Sequence, residues 1–179
     1  PTTSFRVWPG QVFERATREL GVVSEVHSFR TSADAMTKLN ETLEQGFPVG
    51  LQVGTFHLPF FPPEYRMHYN MHNLVCFGKE DNIYHISDTV MEHPQVLTYD
   101  DLMRVRYAKG AFAPQGKMYW INRVNGKPDL KPAIRQGIKK TVDDMIGIPF
   151  PLVGVKGLKW MARDLKKWPA KHGQDKASF

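Results

Sequence analysis

The chain has 179 residues, 41% hydrophobic, 23% charged and 12% aromatic, with 24 Lys+Arg against 18 Asp+Glu. This fits one ordinary domain plus an appendage, and it excludes a disordered or collagen-like chain. No apolar run approaches the ~20 residues of a membrane span, and the single cysteine, Cys76, excludes an internal disulfide framework or a four-cysteine metal site. The spacing predicts a first helix from about Gly10 to Leu20, with Val12, Phe13, Ala16 and Leu20 on one face and Gly21 as its stop. Val22 to Phe29 follows as a short strand. A second helix is capped by Thr31 or Ser32, carries Ala35, Met36, Leu39 and Leu43 at helical spacing, and ends at Gly46 and Pro48. Val49–Val53 is then a buried-strand candidate.

Residues 55–71 are too aromatic for a solvated linker and too proline-rich for a regular element. A loop of this kind inside a compact domain is usually functional. It enters the strand His72–Gly78, which pairs across a polar turn with Ile83–Asp88 as a hairpin. Thr98 with Asp101 caps a helix to about Ala108, and Lys117–Val124 is a further strand. Asn125-Gly-Lys-Pro128 is the best internal boundary, giving a domain over 1–124 and a helical extension over 125–179. The extension is read as two helices, about 129–146 and 154–168, broken at Pro149-Phe-Pro151. The expected class is α+β, an antiparallel sheet with flanking helices followed by that extension.

Charge divides at the same boundary. From Lys127 onward there are 12 basic and 5 acidic side chains, against 12 and 13 in residues 1–124. A neutral body with one basic tail is a poor match to a nucleic-acid binder. Within the tail, Val155, Leu158, Met161, Ala162, Leu165 and Trp168 share a face opposed by Lys156, Lys159, Arg163, Lys166 and Lys167. Such a helix lies on a membrane, docks an acidic partner, or packs on its own domain. The opening Pro-Thr-Thr-Ser-Phe-Arg lacks the pattern of a secretory signal, and the lone cysteine fits a reducing compartment, so the expected location is cytoplasmic.

His72 and Asp88 stand at the same end of the hairpin, far from its turn. A carboxylate opposite an imidazole fixes its tautomer and stabilises the imidazolium, as an acyl-transfer or hydrolytic base requires. The plainer alternative is a structural histidine beside a strand-end aspartate. Cys76 fails as the nucleophile for this base. Four residues along one strand separate the two α-carbons by about 13 Å, whereas reacting atoms must approach to ~3 Å. Flanked by Val75 and Phe77, it is expected to be a buried, inert thiol. His68 and His72 have the i,i+4 spacing of zinc helices, but the prolines nearby and the lack of a third ligand argue against a metal. No metal or cofactor is expected.

The stretches Gly46-Phe-Pro-Val49, Leu58-Pro-Phe-Phe61, His72-Asn-Leu-Val-Cys-Phe-Gly78, Ile86-Ser-Asp88 and Leu97–Leu102 with Arg106-Tyr-Ala108, in this order, resemble the amino-terminal domain of butirosin biosynthesis protein H. That family falls within the papain-like cysteine superfamily, with the bacteriocin-leader peptidases. Gly154–Leu158 and Trp168 resemble the helical domain that follows it. The resemblance implies a papain-like, leader-peptidase-like sheet and a Cys-His-Asp site, with His72 as base and Asp88 as its orienting partner. It also implies transfer of an acyl or aminoacyl group from a carrier-protein thioester to a small-molecule amine.

This sequence departs from the family in three places, one being that the family's helical domain continues past the position of Phe179, so the extension is expected to be truncated. The family's nucleophilic cysteine lies in a motif before the part that matches Pro1, so the chain is expected to be an internal piece of a longer protein. The aspartate that often precedes the Leu-Pro-Tyr motif is replaced near Gly54. Phe56, Phe60, Tyr65 and His68 are the expected substrate-binding residues, and Lys156, Lys159, Arg163 and Lys167 the expected docking surface for an acidic acyl carrier protein. A non-catalytic binding module and a cysteine peptidase are the alternatives.

Composition leaves the hairpin register open. Placing His72 directly opposite Asp88 pairs Gly78 with Asn82 across a three-residue loop. A four-residue loop pairing Gly78 with Ile83 puts Asp88 opposite Asn73, on the other face. Only the first makes the dyad, so it is the expected register.

Overall fold

The computed structural model describes residues 10–127 and 129–173. Their order is α1 (Gln11–Glu19), β1 (Val22–His27), α2 (Ser32–Glu44), β2 (Val49–Val53), β3 (His72–Glu80), β4 (Ile83–Asp88), β5 (Gln95–Thr98), α3 (Tyr99–Arg106), β6 (Met118–Val124), α4 (Leu130–Gly147), α5 (Gly154–Leu165) and α6 (Trp168–His172). Six strands form one antiparallel sheet in the order β1-β6-β2-β3-β4-β5. The architecture is α+β, as the sequence pattern implies. Two compact units divide the chain. Val22–Asn125 holds the whole sheet with α2 and α3, while α1 groups with α4, α5 and α6.

In the sheet unit, α2 begins where the Thr31 side chain accepts a hydrogen bond from the Asp34 backbone N–H at 3.2 Å. This satisfies one of the donors left free in a first helical turn. Its Ala35, Met36 and Leu39 are buried, and the chain leaves the helix through Gly46 at φ 83°. Thr98 caps α3 in the same way, accepting from Asp101 N–H. Both helices pack on one face of the sheet. Between the layers lie Val49, Leu51 and Val53 of β2, Leu74 and Cys76 of β3, Tyr84 and Ile86 of β4, and Met118 and Trp120 of β6. Alternate residues of β3, namely Asn73, Val75 and Phe77, point away from the core and are exposed, as the period-2 geometry of a strand demands.

Arg106 is fully buried at the end of α3. It donates from Nη1 to the Ala35 carbonyl and from Nη2 to the Gly116 carbonyl, both at 3.0 Å. Burial pulls its pKa down to about 10. The guanidinium thereby ties α2, α3 and the turn before β6 together.

The β3–β4 hairpin adopts neither the expected register nor its competitor. Glu80 pairs with Ile83, Lys79 with Tyr84 and Gly78 with His85, leaving only Asp81-Asn82 in the turn, with Asp81 at φ 50°. The ladder then shifts by one residue at Phe77, so that Cys76 faces Ile86 and Leu74 faces Asp88. Phe77 is the extra residue of a β-bulge. Without the bulge Asp88 would lie opposite Val75, on the outer face. With it, Asp88 shares the core face with Leu74 and therefore with His72, one diagonal step away.

Two further differences concern short elements. β5 was not foreseen. The basic amphipathic stretch expected as one helix from 154 to 168 breaks at Lys166-Lys167 into α5 and α6. In this helical unit Lys139 pairs with Asp143 at 2.6 Å, Lys140 pairs with Asp144, and Arg15 approaches Asp144 at 3.7 Å.

Candidate active site

Three strand ends meet at the site: the last residue of β2, the first of β3 and the last of β4. Val53 pairs with His72, and Asp88 lies diagonally across from it. The His72 Nε2 to Asp88 Oδ2 distance is 2.6 Å. The Asp88 side chain is fully enclosed and that of His72 is 11% exposed. A carboxylate only accepts, so Nε2 donates this hydrogen bond, and in a neutral imidazole Nδ1 is then the nitrogen that keeps a lone pair. The second carboxylate oxygen, Oδ1, accepts from the Val90 backbone N–H at 2.8 Å. Both oxygens are thus used, one to hold the imidazole and one to hold the turn after β4. This fixed pair can accept a proton at Nδ1 and stabilise the resulting imidazolium.

The loop 54–71 lies on the His72 side of the sheet. Phe61, buried, stands edge-on to the His72 ring with centroids 5.3 Å apart, and Tyr65 stands edge-on to Phe61 at 6.0 Å. The loop is closed on itself. Thr55 N–H donates to the Tyr69 carbonyl, Thr55 Oγ1 donates to the Met67 carbonyl, and Arg66 donates to the carbonyls of Phe61 and Pro59. Its base is pinned by Asn70, whose side-chain amide donates to the carbonyls of Lys109 and Ala111 at 3.0 Å each. Gly54 makes room for this: a Cβ there would sit 2.5 Å from Ala108 Cβ and 2.6 Å from Asn70 Oδ1. An aspartate cannot occupy position 54 unless both neighbours move.

Of the expected substrate-binding residues, Phe56 and His68 stack on each other at 4.1 Å with planes 8° apart. Phe56 and Tyr65 are both exposed. Phe60 instead packs on the core beside Phe61. Phe61, Asn70 and the Val90 amide were missed. Phe61 ends the Leu58-Pro-Phe-Phe61 stretch, but nothing local marks it as the residue that packs against His72.

Cys76 is fully buried in the core, and burial pushes its thiol up to about 12. It is a structural residue, held on the strand away from His72 as its spacing requires. Among the described residues no group of three or more His, Cys, Asp or Glu is placed to hold a metal ion. Lys156, Lys159 and Arg163 lie on α5 and Lys167 precedes α6, all exposed. No helix among the described residues is long and apolar enough to cross a membrane.

Residues 1–89 match the family model of butirosin biosynthesis protein H, N-terminal, a span that contains both His72 and Asp88. Residues 100–178 match a domain of unknown function, DUF4872. The chain belongs to the butirosin biosynthesis protein H-like family. No curated protein matches it. A crystal structure described as a C39-like peptidase from Bacillus anthracis aligns with a TM-score of 0.43 at 15% identity, over 66% of this chain and 61% of that one. This butirosin H-like chain therefore spans less than two thirds of that structure's length.

Proposed function

We propose that the His72–Asp88 pair is the base and orienting half of a papain-like thiol acyltransferase site. The observation that carries the reading is the enclosed 2.6 Å contact from Nε2 to Asp88, which leaves Nδ1 as the working nitrogen. A thiolate attacks the carbonyl of a carrier-protein thioester, the carrier thiol leaves with the proton from the imidazolium, and an acyl thioester forms on the enzyme. An amine acceptor then attacks that carbonyl, gives its proton to His72 Nδ1, and the enzyme thiol departs as the amide forms. The attacking thiol is not Cys76, the one cysteine of this sequence, because it is buried and its thiolate is strongly disfavoured. The nucleophile would instead be a cysteine outside these 179 residues. Phe61 with the exposed aromatics Phe56 and Tyr65 would form the wall against which the acyl group or acceptor lies.

The test is the intact gene product, assayed with an acyl N-acetylcysteamine thioester and a primary amine, with the acyl-enzyme detected by intact mass. His72→Ala is expected to lower kcat/KM by about 10²-fold or more, and Asp88→Ala by a comparable amount. Undiminished transfer by His72→Ala would overturn the reading. The absence of a reachable thiol among the described residues favours a second reading, a binding module. Thioester binding without any acyl-enzyme in the intact product would select it. Amide hydrolysis without transfer would make the site that of a cysteine peptidase.

A further inference from the structure

We propose that α5, with the loop leading into it, seats the protein on an anionic lipid surface, apolar side inward. The inference is independent of the dyad. None of α1, α4, α5 or α6 contains a buried residue. On α5, Leu158 is 55%, Met161 42% and Leu165 41% exposed, and just ahead of the helix Phe150 and Leu152 are 69% and 49% exposed. On the helix, Leu158, Met161 and Leu165 share one side over about 10 Å. Around the rest of the helix stand Lys156, Lys159, Arg163 and Lys166, none of which makes an ion pair among the described residues. Lys159 and Lys166 border the apolar side. The single acid of α5, Asp164, is held by Trp168 Nε1 at 3.0 Å and Lys171 Nζ at 3.2 Å. By contrast α4 neutralises Lys139 and Lys140 with its own Asp143 and Asp144.

Uncompensated positive charge therefore coincides with an open apolar face on one helix. The charge chooses the occupant. A second copy would bring another tail with 12 basic and 5 acidic groups against the first, and like charges repel. A negatively charged surface is complementary, and a bilayer needs no matched pocket: it admits side chains standing flush along a helix while lysine and arginine stems reach out to the phosphates.

Cosedimentation of the 179-residue chain with vesicles of phosphatidylglycerol and phosphatidylcholine, beside pure phosphatidylcholine vesicles, tests this. Binding to the anionic vesicles is expected to be at least about tenfold tighter and to weaken with salt. Leu158→Glu with Leu165→Glu should abolish it, and Lys159→Glu with Arg163→Glu should weaken it at least about tenfold, with thermal melting of both variants unchanged. Failure to bind anionic vesicles would overturn the proposal. Wild-type binding by the Leu158/Leu165 variant would do so as well, since it would reduce the effect to adsorption of charge. Binding of an acidic carrier protein but not of vesicles would return the helix to the docking role expected from the sequence.

Discussion

The two units of the chain solve the problem of apolar residues in opposite ways. In Val22–Asn125 the apolar positions of both layers close on one another, and residues such as Leu39, Leu51, Ile86 and Leu102 are completely buried. In the helical unit, Leu130, Ile134, Ile138, Val142 and Ile146 recur along α4 at helical spacing, yet every one is exposed. Equally clear amphipathic patterns thus have different outcomes, because a pattern specifies a face and not what covers it. The sheet unit closes a core on one of its faces, whereas the helices of the other unit bury no residue at all among those described.

Truncating matched residues should expose this contrast most strongly. Leu39→Ala is expected to cost about 2–5 kcal/mol in urea unfolding, while Ile138→Ala should stay within about 0.5 kcal/mol. A comparable loss at both positions would mean that the helical unit has a core after all.

Next in size is Asp88→Ala. It strips the buried partner from His72 Nε2 and from the Val90 amide, at an expected cost of about 1–3 kcal/mol. Long-range 1H–15N spectra of the imidazole should show Nε2 losing its fixed proton. An unchanged His72 tautomer in the variant would show that the contact does not orient the ring.

Cys76 probes the sheet core through pH. Its folded pKa, about 12, stands above the ordinary value of 9.0 because burial disfavours the thiolate. Between these values the folded state holds more protons than the unfolded one. The contribution is therefore complete below pH 9 and is lost as pH rises toward 12. Tyr84, also raised by burial, adds to the slope above its own ordinary value. Cys76→Ala should flatten the decline measured from pH 9 upward, and native Cys76 should react with Ellman's reagent only as fast as the domain unfolds. Rapid stoichiometric labelling at neutral pH would contradict this.

A smaller effect tests the bulge. Deleting Phe77 removes the extra residue and leaves Leu74 opposite Asp88, so the dyad should survive with stability changed by about 1 kcal/mol or less. Deleting Val75 instead moves Asp88 opposite Asn73 and separates the pair onto two faces. The His72 imidazole spectrum distinguishes the two outcomes.

That bulge also marks where sequence reasoning stopped. The capped helices were legible because Thr31 with Asp34 and Thr98 with Asp101 act within one turn. The contact between His72 and Asp88 was legible because these residues begin and end adjacent strands. The register was not legible. It depends on a two-residue turn with Asp81 at positive φ and on an unpaired Phe77, and both are conformations that several residues could adopt. β5 has only Val96 and Leu97 as apolar residues and follows Pro94, too weak a signal for a strand. Phe61 and Asn70 owe their roles to partners far along the chain: Asn70 reaches the carbonyls of Lys109 and Ala111, contacts that no local pattern encodes.

The double engagement of Asp88 has a dynamic consequence. For the His72 ring to turn over, Nε2 must release Oδ2 while the edge contact with Phe61 obstructs the rotation. The same carboxylate cannot follow the ring without letting go of Val90. Ring reversal would strand Oδ2 without this donor while Oδ1 still holds the turn after β4, so ring and turn are linked through one carboxylate. For as long as Nε2 stays engaged, Nδ1 is the ring nitrogen left for any further partner.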